Sequence, residues 1–526
     1  MQDRNLPHRP AKTTFPCCSP ARNPPTASDD RRWCRASQFL SARIGISRQF
    51  ATTVPRMNRI DRFFEITARG STIGAEIRGG LVTFIAMAYI VILNPIILSG
   101  KPDVVGDKLN FAQVSAVTSL TAGAMTILFG LLARLPFAFA AGLGVSSFLA
   151  STVVGTVSWS EAMGLVIING LIIVVLAATG LRRLVFDAVP MQLKLAITAG
   201  IGLFIMFIGL VDAGFVSATG FASPPVGLGS GGLGSIRTIP TTVFIFTLLL
   251  TSILVARRIR GGILIGLITG TVVAVGVEAI WHLGSAVKHP GGWALSVPTL
   301  SGSPFALPDL SLLGAFSFDS FSRLGVLAAT MLVFTLVFTN FFDAMGTFTG
   351  LSREAGLADD RGNFPRLRAA LIVEGAGAVA GGASSASSNT VFIESGAGIG
   401  EGARTGLANV VAGSLFLAAM FVGPLAQIVP TEVAAAALVI VGTMMVSQLR
   451  HVDISEFSVA LPVVLTVAVM PLSYSIANGI GVGFVSWVVM RSAAGKAREV
   501  SPLLWLVSAG FVLYFTRAAV EAVLGG

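Results

Sequence analysis

Apolar residues along this chain come in long unbroken blocks, not in the alternating pattern of half-buried strands or the one-sided pattern of soluble helices. The blocks fall at about 76–99, 113–133, 136–153, 162–180, 190–211, 241–256, 261–282, 325–351, 367–382, 388–400, 404–422, 430–447, 456–472, 475–492 and 503–521. Roughly 20 apolar residues in a helix cross the hydrocarbon of a bilayer, and most blocks reach or approach that length. The pattern predicts an all-α polytopic membrane protein. Three blocks, 136–153, 367–382 and 388–400, are short or broken by Gly and Ser, as discontinuous transporter helices are.

Composition agrees. The chain is 53% hydrophobic and 12% charged, with 59 Gly and a mean hydropathy of +0.81, against about 25% charged residues in soluble domains. The net charge of +10 does not indicate nucleic acid. Residues 1–56 hold ten Lys/Arg and three acids, so +7 of the +10 lies there and the body carries +3. The three cysteines (Cys17, Cys18, Cys34) also lie in this leader, which removes disulfides, thiolate metal sites and cysteine chemistry from the body. The leader lacks an apolar h-region. It reads either as a disordered basic tail or as an upstream start choice, with Met57 beginning the working protein.

The basic residues set an orientation. With the amino terminus inside, Arg134, Arg182–Arg183, Arg257–Arg258–Arg260, Arg353–Arg368, Arg450 and Arg491–Arg498 all fall on the cytoplasmic side. The outer loops 212–240 and 283–324 carry few. A weak internal repeat is also visible. PMQLKLAITAGIG from Pro190 and PTEVAAAALVIVG from Pro430 each place a Gly twelve residues after a Pro, and GGILIG (261–266) matches NGIGVG (478–483). The charge-derived topology runs each pair in opposite directions, so the repeat is inverted, with a site expected at its interface. The glycine-rich stretch Gly227–Ser235 lacks the GK[ST] ending of a phosphate loop and reads as a linker.

Acids inside the apolar blocks carry the candidate chemistry, because a carboxylate there costs several kcal/mol and needs a partner, a wet cavity or a cargo. In VFTNFFDAMGTFTG, the residues Asn340, Asp343 and Thr347 share one helical face, with Phe341, Phe342 and Phe348 beside them. That combination suits a flat heterocycle that donates N–H groups and stacks; the alternative is a pin between helices. In GGASSASSNTVFIESGAGIG, Ser384, Ser385, Ser387, Ser388 and Thr390 surround a break, Asn389 follows, and Glu394 stands as a ligand or proton carrier. The serines there would cover exposed backbone groups. AFAAGLGVSSFLAS, with Ser146 and Ser147, should face that segment by pseudo-symmetry; close packing of small residues explains it almost as well. Glu374 either relays protons or ties its helix to the neighbourhood of Asp343. Glu76, Glu161 and Glu432 lie near helix starts, where acids suit the dipole. No histidine relay, metal set or cofactor motif is present, nor an HExxH or GxSxG arrangement, so an enzyme is not expected.

These segments resemble the second nucleobase–cation symporter family, in its adenine/guanine/hypoxanthine permease branch within the xanthine/uracil permease superfamily. The resemblance runs from about Phe63 to Val520. It rests on EIRGGLVTFIAMAYIVILNP, AAGLGVSSF, GLRRLVFDAVPMQLKLAITAGIGLF, FFDAMGT, FIESGAGIGEGARTGL and MPLSYSIANGIGVGF. It implies about fourteen segments in two inverted sevens, with short strands in segments three and ten. It also implies a core at 57–182 and 322–424 and a gate at 183–321 and 425–495; the C-terminal apolar segment at 496–526, with its block at 503–521, is one more than the family's fourteen and either lies along the membrane or adds a crossing. The implied activity is proton-coupled import of purine nucleobases across the cell membrane, with Asp343 and Glu394 as the two binding carboxylates, core moving against gate, and homodimers built through the gate. Ser146, Asn340 and Glu374 depart from the Asn, Asp and Asp usual in that branch, which bears on purine choice and proton coupling. An anion carrier of the same architecture, for sulfate or bicarbonate, is the alternative.

Overall fold

The first apolar block folds as two helices. A short amphipathic α1 (Arg59–Phe64) precedes α2 (Ile73–Met87), and a turn at Ala88–Tyr89 leads into α3 (Ile90–Ser99). Pro95 lies inside α3 and cannot donate to the carbonyl four residues back. That carbonyl, Val91 O, accepts instead from Ser115 Oγ at 3.2 Å, which keeps a bare acceptor out of apolar surroundings. The computed structural model describes residues 59–180, 188–220, 224–229, 234–289, 291–294, 296–299, 303, 305–358 and 364–524. The basic leader, Arg182–Arg183, Arg361, much of the glycine-rich loop and the side chain of Phe342 lie outside the described residues.

α4 (Phe111–Leu132) starts on the side chain of Asn110, which accepts from Ala112 N and Gln113 N. The broken third block becomes β1 (Phe139–Ala141) and α5 (Leu143–Phe148), continued by a π turn to Val153. α6 (Trp159–Thr179) opens on a capping box between Ser158 and Glu161. Then come α7 (Met191–Asp212), a hairpin of β2 (Val216–Ala218) and β3 (Val226–Leu228), α8 (Ile239–Ala256) and α9 (Gly262–Trp281). The second half holds α10 (Ser320–Leu324), α11 (Val326–Glu354), α12 (Leu367–Ala383), β4 (Asn389–Val391), α13 (Ser395–Gly400) and α14 (Gly406–Ala419). α15 (Gly423–Gln427), α16 (Thr431–Val446), α17 (Phe457–Leu472), α18 (Ile476–Ala493) and α19 (Pro502–Leu524) complete it. Among the described residues, ten helical stretches are long and apolar enough to cross a membrane, and Leu143–Val153, Phe457–Leu472 and Pro502–Thr516 are shorter apolar helices. The chain is therefore a multi-pass membrane protein.

Two expectations change. The block at 367–382 is one continuous helix, and the interruption begins after it. Its glycines serve close packing: a Cβ at Gly381 would lie 1.8 Å from Ser387 O, and one at Gly382 would lie 2.9 Å from Met163 O on α6. The glycine-rich stretch is not wholly a linker either, since Gly227 pairs with Ser217 in the β2–β3 hairpin.

The inverted repeat is physical. Pro190 and Pro430 are the N-caps of α7 and α16, and the glycines twelve residues later touch each other. A Cβ at Gly202 would lie 2.6 Å from Gly442 O, and one at Gly442 would lie 2.4 Å from Gly202 O. The reciprocity is what a pseudo-twofold axis between these helices demands. The second motif pair agrees: Gly266 is closed on by Thr251, and Gly483 by Thr466, each with its Oγ1 2.0 Å from where a Cβ would stand. The most extensive packing joins α6 with α12, α7 with α16, α4 with α14 and α17 with α18. α19 lies against α18 and α11, with the Phe511 ring 6.2 Å from Phe484 and 5.7 Å from Phe334.

Candidate functional site

The two broken segments meet as a two-stranded antiparallel ladder. Phe139 pairs with Val391, Ala140 with Thr390 and Ala141 with Asn389, extended by Gly142 N donating to Ser388 O and Phe392 N to Ala138 O. A ladder this short leaves edge groups bare, which apolar surroundings penalise. Thr126 on α4 closes one edge: its Oγ1 accepts from Phe139 N at 2.9 Å and donates to Phe139 O at 3.0 Å. Glu374 on α12 closes the other, its Oε2 accepting from Val391 N at 3.3 Å. The two closures fall on register partners. Glu374 thus has a backbone duty, and the Thr390 hydroxyl on β4 lies within hydrogen-bonding reach of its carboxylate.

Beyond the ladder each strand turns into a short helix, and the acids gather there. Glu394 is the residue before α13 and is half-buried. Its Oε1 accepts from the hydroxyl of Tyr89, 2.5 Å away and fully buried in the turn between α2 and α3. Asp343, half-buried on α11, lies close enough to Glu394 for their charges to oppose each other, and Glu374 is in turn within range of Asp343. α11 packs against β4, α5 and α13, so the acids share one neighbourhood.

Around them lie buried polar atoms without protein partners: both amide atoms of Asn340 and of Asn389, and the hydroxyls of Thr339, Ser147 and Ser388. Buried polar groups in folded proteins are nearly all bonded. Several such unpartnered atoms gather on touching elements beside the acids. Thr347, one turn beyond Asp343, is half-buried.

Ser146 is different. Its hydroxyl donates to Asn94 Oδ1 at 2.7 Å, and its N–H donates to Gly142 O. Asn94 Nδ2 donates onward to Thr118 Oγ1 at 2.8 Å and to Ala386 O at 3.1 Å. Asn94 therefore ties α5, α4 and the turn before β4 to the first span. In that turn the serines cover backbone only in part. Ser384 and Ser385 donate to carbonyls, but Ser387 and Ser388 do not, and Ser385 and Ser387 hold left-handed φ values of 58° and 70°.

The aromatic reading of FFDAMGTF needs correction. Phe348 is fully buried in a cluster with Phe129, Phe137 and Phe364, at ring distances of 5.8, 6.1 and 5.8 Å. It faces away from the acid because it lies five residues, about 140° of helix, from Asp343. Tyr89, Asn94 and Thr126 were not singled out by sequence. The available signal was a Tyr and an Asn inside AYIVILNP, in a chain with three tyrosines. Glu76 and Glu432 do more than suit helix dipoles: Glu76 accepts from Arg404 N and Glu432 from Ala294 N. A cavity of about 340 Å³ lined by Gln192, Glu456, Trp487 and Arg491 lies elsewhere, and its arginine is already paired with Glu456 and Glu499. Among the described residues no group of three or more His, Cys, Asp or Glu is arranged to hold a metal.

With this geometry in view, comparison with known proteins is direct. The sequence profile of the Permease family matches residues 74–491. The guanine/hypoxanthine permease PbuG of Bacillus subtilis (strain 168) is 37% identical over 458 residues, covering 86% of this chain and 98% of that protein. The adenine permease AdeP of Escherichia coli (strain K12) is 33% identical over 470 residues, 89% of this chain and 98% of that protein. Among solved structures, the transmembrane domain of the cyanobacterial bicarbonate transporter BicA superposes with a TM-score of 0.54 at 15% identity, over 80% of this chain and 97% of that one. The murine Solute Carrier 26 family member A9 anion transporter, inward-facing, gives 0.55 at 11% identity over 90% and 77%. The structural likeness establishes an inverted-repeat transporter fold, and the sequence likeness goes further: this chain belongs to the Permease family, in the branch of its adenine and guanine/hypoxanthine permeases.

Proposed function

We propose that this protein imports purine nucleobases of the adenine, guanine and hypoxanthine class by proton symport. The observation that carries the reading is a pair of carboxylates, Asp343 and Glu394, delivered by two elements into one neighbourhood among orphaned amides and hydroxyls. Purines offer N–H donors for the acids and ring nitrogens or a carbonyl for the amides. In this mechanism Asp343 and Glu394 accept from the base, while Asn340, Asn389, Thr390 and Ser147 complete its hydrogen bonds and Thr347 lines the approach. Ser146 acts through Asn94, not by direct contact.

Protonating one acid neutralises the loaded site, which lowers the cost of moving it past apolar surroundings. Glu374, buried on α12 within range of Asp343, is the further proton-carrying group. Residues 57–182 and 322–424 move as a core against a gate of 183–321 and 425–495, in the cell membrane with the amino terminus inside. Differential affinity between outward and inward forms drives the cycle.

The fold is shared with anion transporters, but at these identities it argues for architecture alone. Two acids would repel an anion, which is better served by Arg and helix starts. The test is uptake of labelled adenine, guanine and hypoxanthine in cells lacking their own permeases, with wild type, Asp343→Asn and Glu394→Gln. Wild type should accumulate purine and both variants should lose most of it. Undiminished uptake by both variants, or competition by sulfate in place of hypoxanthine, would defeat the proposal.

A further inference from the structure

We infer that Tyr89 is the positioning residue of this site: its hydroxyl fixes Glu394 and occupies one carboxylate oxygen, leaving the other for the cargo and its proton. The inference rests on the purine reading for what the site carries, and on geometry for the rest. Tyr89 is fully buried, its hydroxyl is 2.5 Å from Glu394 Oε1, and its ring is embedded in the main apolar core. It stands in the turn between α2 and α3, and five residues on Asn94 grips α5 and the turn before β4. The first span therefore reaches both broken segments, through the Asn94 amide to both and through the Tyr89 phenol to the second.

A buried tyrosine needs some acceptor, and a backbone carbonyl would serve a purely structural role. Here the acceptor is a carboxylate of the candidate site. A hydroxyl that donates to a carboxylate favours its ionised form. Tyr89 therefore supplies the donor that favours the ionised carboxylate of Glu394, besides holding its rotamer. Among the described residues, the other charged groups around Glu394 are Asp343 on α11, Glu374 on α12 acting through Asp343, and Glu354 at the end of α11. The Glu354 carboxylate lies 2.7 Å from where a Cβ on Gly396 would stand. Arg404, bonded to Ile399 O, and Glu401 lie at the far end of α13. None of these donates to Oε1 of Glu394, so removing the phenol hydroxyl leaves that oxygen without its donor.

The experiment uses the full chain with Tyr89→Phe, which keeps the ring and removes the hydroxyl. Hypoxanthine uptake is measured from pH 5 to 8 alongside wild type. Loss of a donor lets Glu394 keep its proton to higher pH, so the uptake midpoint should move upward by about one pH unit. The pH dependence of thermal unfolding of the purified proteins, without cargo, should shift in the same direction. A gentler perturbation is 3-fluorotyrosine incorporated in a Tyr474→Phe, Tyr514→Phe background. The more acidic phenol is a stronger donor, and the midpoint should move downward. Identical pH profiles for wild type and these forms would overturn the inference. A wild type that carries no purine would overturn the purine reading instead, and the cargo-free unfolding profiles would still decide the role of Tyr89.

Discussion

Replacing Asn94 with Ala isolates the contact that joins the two broken segments to the first span. Asn94 is fully buried and takes part in three hydrogen bonds, with Ser146 Oγ at 2.7 Å, Thr118 Oγ1 at 2.8 Å and Ala386 O at 3.1 Å. Side-chain hydrogen bonds between membrane helices are worth about 0.6 kcal/mol on average, because the unfolded chain in lipid also finds partners. Three of them give a loss of about 2 kcal/mol, more than tenfold in the folded-to-unfolded ratio. Ser146→Ala removes one of the three and should cost about 0.6 kcal/mol. The assay is equilibrium unfolding of the purified protein in mixed detergent, carried out as a double-mutant cycle. Because Ser146 bonds to Asn94, Ser146→Ala should cost almost nothing in the Asn94→Ala background. Full additivity, or an Asn94→Ala protein as stable as wild type, would refute the network. The same cycle bears on function. If the Ser146 hydroxyl is committed to Asn94, Ser146→Ala should leave purine affinity within about threefold, where loss of a direct contact would cost about tenfold.

Two other expectations follow. Phe348→Ala removes a fully buried ring from the cluster with Phe129, Phe137 and Phe364 and should destabilise the protein by about 3–5 kcal/mol; a folded Phe348→Ala protein with normal stability and a tenfold weaker purine affinity would return that ring to the site. At the start of α17, hydrogen bonds from Lys496, Ser458 and Arg491 depress the Glu456 carboxyl from 4.5 to about 2. A depressed acid contributes its stability above its unfolded value, and that contribution is lost as pH falls through its folded value. The melting-temperature difference between wild type and Glu456→Gln should therefore be constant above pH about 5 and shrink steadily toward pH about 2; a difference independent of pH over that window would sink the assignment.

The membrane class, the apolar blocks and two of the three expected interruptions were legible in the chain because they depend on local composition. A helix that must cross hydrocarbon needs a continuous run of apolar residues, and a break needs Gly, Ser or Thr to manage its backbone. The inverted repeat was legible for a similar reason. Pro at a helix start and Gly at a close crossing are local solutions, and Pro190 with Gly202 and Pro430 with Gly442 use the same one twice. Asp343 and Glu394 stood out because an acid in an apolar block is conspicuous by itself.

What tertiary structure decided was which partner each polar group found. Tyr89 and Glu394 lie 305 residues apart, and Asn94 and Ala386 lie 292 apart; no local pattern encodes those contacts, since only the folded packing of the two halves brings them together. The same packing took Phe348 into an aromatic core and Ser146 into a bond with Asn94, although both sit beside residues of the candidate site. A single sequence shows where polarity is placed in an apolar chain. Which of those groups satisfy one another, and which do not, is settled by distances across the fold.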